Sequence, residues 1–102
     1  MRITYDYALV GDADDTVRRI TAGRPSVYAA EKHFGVGLIG AFGKGDVSLE
    51  LLDWILHHAV TRAIQKGDID GVALVWSEFA DGELEGALEW CEAVDISTGN
   101  PR

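Results

Sequence analysis

The feature that most constrains this fold is a helical repeat of apolar residues between positions 48 and 66. Ser48 is a suitable N-cap, and Arg62 and Lys66 lie near the other end, before Gly67, where the helix dipole favours cations. The pattern therefore predicts a helix over residues 48–66, whose apolar face must pack on other elements. That face is formed by Leu49, Leu52, Leu56, Ala59, Val60 and Ala63.

The N-terminal residues alternate between apolar and polar with a period of two, which is typical of a half-buried strand. One side carries Ile3, Tyr5, Tyr7 and Leu9, and the other carries Arg2, Thr4, Asp6 and Ala8. A polar turn at residues 11–15 and a β-rich segment at 16–21 follow, so we predict a hairpin over about 2–21. Pro25 then begins a predicted helix over 25–34, which ends at Gly35.

The last third of the chain gives a further helix and one open choice. Residues 72–80 fit either a helix or a short buried strand. Residues 83–95 carry an apolar stripe at helical spacing, so we predict a helix there, followed by a flexible tail at 97–102. The expected fold is α+β: a mainly helical small domain over residues 1–96 with an N-terminal β-hairpin. The stripe consists of Leu84, Ala87, Leu88, Cys91 and Val94.

The net charge of −8 is placed unevenly along the chain. Residues 1–66 hold eight acidic and eight basic side chains, whereas residues 67–102 hold nine acidic side chains and a single base, Arg102. Such a surface repels phosphate backbones, so we expect no binding of nucleic acid. It favours solubility and a partner with a basic surface.

Cysteine usage and hydropathy indicate the compartment. The single cysteine, Cys91, has no partner for an internal disulfide, and its place on the apolar stripe predicts a buried, unreactive thiol. The sequence has no apolar run long enough to cross a bilayer, and Met1 is not followed by a secretion signal. We therefore expect a cytoplasmic protein without membrane contact.

Two motifs resemble functional sites without meeting their requirements. Gly35 to Gly40 reads G-x-G-x-x-G, but it follows a predicted helix instead of a strand, so we expect no dinucleotide. Asp53 and His57 are one helical turn apart and His58 follows, but a metal site needs three or four ligands. A surface ion pair is the expected role. We therefore predict no enzymatic activity, no cofactor and no metal.

Trp54 is the best candidate for a contact residue, because it lies in the polar arc of the 48–66 helix. Either the N-terminal hairpin or the last helix covers it, or it contacts a partner, as tryptophan often does at interfaces. The glycine-rich stretch 35–45 is also too apolar for a solvated linker. The predicted partner-binding residues are Trp54, Leu51, His58, Leu38, Ile39 and Phe42.

Taken in chain order, these features resemble the tail assembly chaperones of long-tailed bacteriophages over about residues 2–95. The shared pattern is a short hairpin, a helix with an Ala-Glu pair before an aromatic-Gly, a Trp-containing helix, an aromatic-rich segment and an acidic end. The corresponding residues are Ala30-Glu31, Phe34-Gly35, Leu51-Leu52-Asp53-Trp54-Ile55-Leu56 through Arg62 to Gly67, and Trp76 to Phe79.

The resemblance implies a non-enzymatic protein that binds the tape measure protein, keeps it soluble and recruits tail tube subunits around it. Such proteins act in the host cytoplasm and are absent from the mature virion, and the resemblance also suggests a homo-oligomer. Many are also made in a longer form by a ribosomal frameshift.

Two other classes of function stay open. A small acidic inhibitor or nucleic-acid mimic acting on a basic host protein would space Glu85, Glu89 and Glu92 along one face, like phosphates. A small enzyme or metal protein would use Asp53, His57 and His58.

Overall fold

A computed structural model describes residues 1–38, 40 and 47–97. The described residues form an α+β fold in which an N-terminal β-hairpin and a third strand make one antiparallel sheet beside three helices, as the sequence predicts. The elements in chain order are β1 (Arg2–Leu9), β2 (Arg18–Ala22), α1 (Arg24–Phe34), α2 (Leu49–Gln65), α3 (Trp76–Asp81) and β3 (Leu88–Ser97).

The predicted hairpin is confirmed, since β1 and β2 pair from Ile3 opposite Ala22 to Tyr7 opposite Arg18. Asp12 holds the connecting turn, because one of its carboxylate oxygens accepts from the Leu9 amide at 3.0 Å. The Arg18 guanidinium donates to both oxygens of the same carboxylate at 2.8 Å. This bidentate pair fixes where the chain returns into β2.

The two helices predicted from capping and periodicity are also confirmed. In α1, Pro25 lies in the first turn, and Gly35 ends the helix with φ 71° while its amide donates to the Glu31 carbonyl. In α2, the Ser48 hydroxyl accepts from the Leu51 amide at 3.1 Å, which is the predicted N-cap.

The open choice at residues 72–80 is resolved as a short helix, α3, preceded by extended chain. Gly82 ends α3 with φ 70°, a left-handed conformation that favours glycine. A β-carbon added there would lie 3.1 Å from the Leu88 carbonyl oxygen. The chain therefore turns tightly at this glycine before it enters β3.

The predicted helix over 83–95 is wrong, because Leu88–Ser97 form strand β3 and pair with the whole length of β1. Ser97 belongs to the strand and not to a tail, and residues 98–102 lie outside the described residues. Gly86, with φ 92°, lies in the turn before the strand, where its amide donates to the Val10 carbonyl. This conformation prevents a helix from starting at residue 83.

Two bulges hide the alternation expected of a strand in the sequence of β3. The pairing with β1 shifts between Thr4 and Tyr5 and again between Ala8 and Leu9, so that Val94 and Glu89 have no direct partner. The residues on the inner face are therefore spaced three, two and three positions apart, which departs from the period of two that marks a regular strand. They are Leu88, Cys91, Ala93 and Ile96.

The core lies on one face of the sheet, under α1 and α2. Ile3, Tyr5 and Tyr7 of β1 are buried and belong to one cluster with apolar residues of both helices, among them Ile55 and Ala30. The opposite face is polar, with a cross-strand hydrogen bond between Thr4 and Thr21 and an ion pair between Asp6 and Arg19. No described helix combines the length and apolar character that a membrane crossing requires.

Candidate partner-binding groove

A cleft of about 660 Å³ lies between β3 and the N-terminal half of α2, and we call it the β3–α2 groove. The Ser48 cap starts α2 at one end of the cleft, which places Leu49 and Leu52, three residues apart, on one side of the helix. The lining residues are Tyr5, Leu49, Leu52, Asp53, Ala80, Leu88, Glu89, Trp90, Cys91, Glu92, Ala93 and Ile96.

The groove has apolar walls that are open to solvent. Leu49, at the start of α2, is 77% exposed, and Ile96, near the end of β3, is 42% exposed. Ala80 and Ala93 have short side chains, so they leave room between these walls. Apolar surface exposed in a concave site is typical of protein contacts.

Two hydrogen bonds hold polar groups at the base of the groove. The Tyr5 hydroxyl donates to the Leu52 carbonyl at 2.7 Å, and burial raises the pKa of this hydroxyl above its ordinary value. The Cys91 thiol donates to a carboxylate oxygen of Asp53 at 3.1 Å, which links β3 to α2. The first bond joins β1 to α2 and the second joins β3 to α2, so both hold α2 against the sheet.

The environment of Cys91 suppresses thiol chemistry. Burial, followed by the hydrogen bond to Asp53 and the charge of its carboxylate, raises the pKa of the thiol to about 12. The thiolate, which is the nucleophilic form, is therefore scarce at neutral pH. The residue was predicted to be buried on a helix; it is half-buried on a strand, with a protonated thiol.

The rim of the groove is acidic. Glu89 and Glu92 line the groove and are exposed, and Asp95 is exposed further along β3, opposite Thr4; this strand contains no basic residue. The salt bridges among the described residues pair other acids, namely Asp12, Asp6 and Asp68. In the part of the chain that the structure describes, no salt bridge therefore involves the three carboxylates of β3.

Trp54, the leading sequence candidate, is covered by α1 and by its own helix. Its ring stacks on His33 with centroids 4.7 Å apart and on His58 at 5.7 Å, and it meets the edge of Phe34 at 6.0 Å. The sequence predicts that the N-terminal hairpin or a last helix covers Trp54. The aromatic side chains that pack on it instead belong to α1 and α2. Trp54 is half-buried and serves the α1–α2 contact.

The other sequence candidates do not form one surface with Trp54. Leu51 and Leu38 are buried in the core cluster, so neither side chain is available to a partner. His58 is half-buried, and its Nδ1 shares a hydrogen bond of 2.9 Å with the buried Ser26 hydroxyl. Ile39 and Phe42 lie outside the described residues.

The structure separates the side chains of Asp53, His57 and His58. Asp53 accepts from Cys91 of β3, His57 donates from Nε2 to the Leu74 carbonyl at 2.7 Å, and His58 bonds to α1. They point to three different neighbours, and the described residues include no group of three His, Cys, Asp or Glu side chains placed to hold a metal ion.

Sequence reasoning missed the groove because it assigned β3 to a helix. A usable signal was the combination of Trp90, Val94 and Ile96, since aromatic and β-branched residues favour strands. No known protein family matches this chain, and comparisons with curated proteins and with solved structures give no match either.

Proposed function

We propose that this protein is a non-enzymatic tail assembly chaperone of a long-tailed bacteriophage, acting in the host cytoplasm and absent from the mature virion. It binds the tape measure protein, keeps it soluble and recruits tail tube subunits, and it contacts neither nucleic acid nor membrane. The resemblance over residues 2–95 supports this role. We propose the β3–α2 groove, in place of the surface around Trp54, as the docking surface.

The observation that carries the proposal is an open apolar groove with an acidic rim. A chaperone must cover apolar segments of its client, and Leu49 and Ile96 offer exposed apolar surface for that. Carboxylates around the contact keep the complex charged and therefore soluble. They also select against acidic partners, which gives the groove a preference for basic segments.

The alternative of an acidic inhibitor or nucleic-acid mimic has less support. It needs a regular row of carboxylates, and Glu85, Glu89 and Glu92 do not share a helix face. Glu85 lies before β3, beside Gly11, whereas Glu89 occupies a bulge and Glu92 lies opposite Asp6. Their spacing is not periodic in the way a phosphate backbone is.

Co-expression tests the proposed function. The tape measure protein, taken as the very long coiled-coil protein encoded beside this chain, is expressed alone and together with the chain, with and without the tail tube protein. We expect the tape measure protein to be insoluble alone, and soluble and co-purified when the chain is present. A tape measure protein that stays insoluble, or that separates from the chain on purification, would rule out this function.

A further inference from the structure

β3 lies at the edge of the sheet. In the described part of the chain this 10-residue strand pairs with β1 on one side and with no strand on the other. In an antiparallel sheet, alternate residues of such a strand direct their N–H and C=O groups outward, so this edge can pair with another strand. The other edge, β2, has five residues, and its Arg18 and Arg19 are already paired with carboxylates.

The polar face of the sheet has a row of charges that ends at this edge. Arg19 of β2, Asp6 of β1 and Glu92 of β3 lie opposite one another across the three strands. Arg19 pairs with Asp6 at 2.7 Å, and among residues 1–38, 40 and 47–97 no cation pairs with Glu92 at the outer end of the row. A basic residue on a fourth strand would lie beside Glu92, and a second one beside Asp95.

The inner face has apolar rows that open into the β3–α2 groove. Ile20, Tyr5 and Ala93 form one row, and Ala22, Ile3 and Ile96 form the next. A fourth strand would place its inward side chains beyond Ala93 and Ile96, where Leu49 supplies the opposite wall. Those side chains must be apolar and can be large, because alanines line the cleft.

We propose that the client segment binds as an added β-strand along the free edge of β3, with lysine or arginine alternating with large apolar residues. The basic residues meet Glu92 and Asp95 and lie near Trp90, which is 42% exposed, and the apolar residues fill the groove. This mode of binding rests on the proposed function, since it names the chemistry of the tape measure segment that the groove takes.

Charge rules out a second copy of this chain as the occupant. Each β3 carries Glu89, Glu92 and Asp95 and no base, so two such strands side by side would bring like charges together. An extended segment that alternates basic and apolar residues has a charge opposite to that of β3, and it matches both the polar and the apolar face of the sheet. The two bulges restrict which register can pair, so the edge discriminates among segments.

Two synthetic peptides of one composition test the mode. One, with the 10-residue length of β3, alternates lysine and leucine; the other has the same residues in helical order. We expect the alternating peptide to bind the full chain at least about tenfold more tightly. Two N-methylated forms of the alternating peptide each carry methyl groups on every second backbone nitrogen, at complementary positions. The form methylated at the nitrogens that face β3 should not bind, and the other form should bind as the parent peptide does. Equal binding of the two peptides, or no difference between the two methylated sets, would overturn the proposal.

A matched pair of variants tests the contact with β3. Glu92→Lys with Asp95→Lys should lower affinity for the alternating peptide at least about tenfold, whereas Asp14→Lys with Asp15→Lys, in the exposed β1–β2 turn, should not. Both pairs change the net charge equally, and Glu92→Lys remains opposite Asp6, so folding is retained. An equal loss of affinity in the two double variants would show non-specific attraction and overturn the proposal. The proposal would also be overturned if the wild-type chain were a dimer and Glu92→Lys dissociated it, because a second copy would then occupy the edge of β3.

The outcome for the proposed function is separate. If the tape measure protein co-purifies but the alternating peptide has no advantage, the strand mode is wrong and the chaperone role stands. If the alternating peptide binds as expected but no tape measure protein is retained, the edge binds strands and the chaperone role is wrong.

Discussion

At the residue scale, Asp12 makes the most connected polar contact of the hairpin. Its carboxylate accepts from Arg18 and from the Leu9 amide, and these bonds, Arg18 first, lower its pKa to about 2. We expect Asp12→Asn to lower the free energy of unfolding at pH 7 by about 1–2 kcal/mol, because a charged, largely covered acceptor is lost. Urea unfolding measures this change, with Asp14→Asn in the same turn as the control.

The same pair predicts a pH dependence with a defined sign. The pKa of Asp12 is lower in the folded chain than its ordinary value of 3.8, so the unfolded chain binds the proton more readily. The stabilisation by Asp12 is therefore complete above about pH 4 and declines as the pH falls towards 2. The difference between wild type and Asp12→Asn should shrink over this interval; a constant difference would contradict the assigned role.

Cys91 gives a second prediction at this scale. With its pKa raised to about 12, the native thiol should react with a thiol reagent at pH 7.5 at least about tenfold more slowly than in the urea-unfolded chain. Asp53→Asn should speed the native reaction, because the carboxylate that raises the pKa is removed. Equal rates in the folded and unfolded chains would show that Cys91 is neither shielded by burial nor bonded to Asp53.

At the scale of elements, the helices depend on local signals. The Ser48 hydroxyl caps α2, so Ser48→Ala should cost about 1 kcal/mol, whereas Ser48→Asp should be nearly neutral. Thermal unfolding of the two variants checks this prediction. A Ser48→Asp chain as unstable as Ser48→Ala would mean that the cap contributes little.

The same locality explains how much of the fold the sequence could predict. α1 and α2 were predictable because Pro25, Gly35 and Ser48 act on the residues beside them. β3 was not, because its conformation depends on pairing with β1, whose partner residues lie 79 to 95 positions earlier in the chain, and because bulges at Glu89 and Val94 disguise its alternation.

At the scale of the whole molecule, the candidate site follows from that long-range pairing. The periodicity of α2 predicted Trp54 on the polar side of the helix, but the sequence does not show that His33 and Phe34 of α1 pack against it. The groove needs Leu49 from one half of the chain and Ile96 from the other. The charge pattern was the stronger guide, since the acidic last third supplies the rim carboxylates Glu89 and Glu92 and also Asp95 on the same strand.

A matched pair of substitutions tests whether the groove is the binding surface. Leu49 and Val72 are 77% and 79% exposed, so each can become aspartate without loss of core packing. Aspartate at position 49 also lies in the first turn of α2, where the helix dipole favours an anion, so the fold is retained. Both changes alter the net charge equally, and only Leu49 lines the groove.

The most direct measurement is the affinity of these two chains for the tape measure protein. We expect Leu49→Asp to bind at least about tenfold more weakly than wild type, and Val72→Asp to bind as wild type does. Unchanged binding by Leu49→Asp, or an equal loss in both variants, would contradict a client site in the β3–α2 groove.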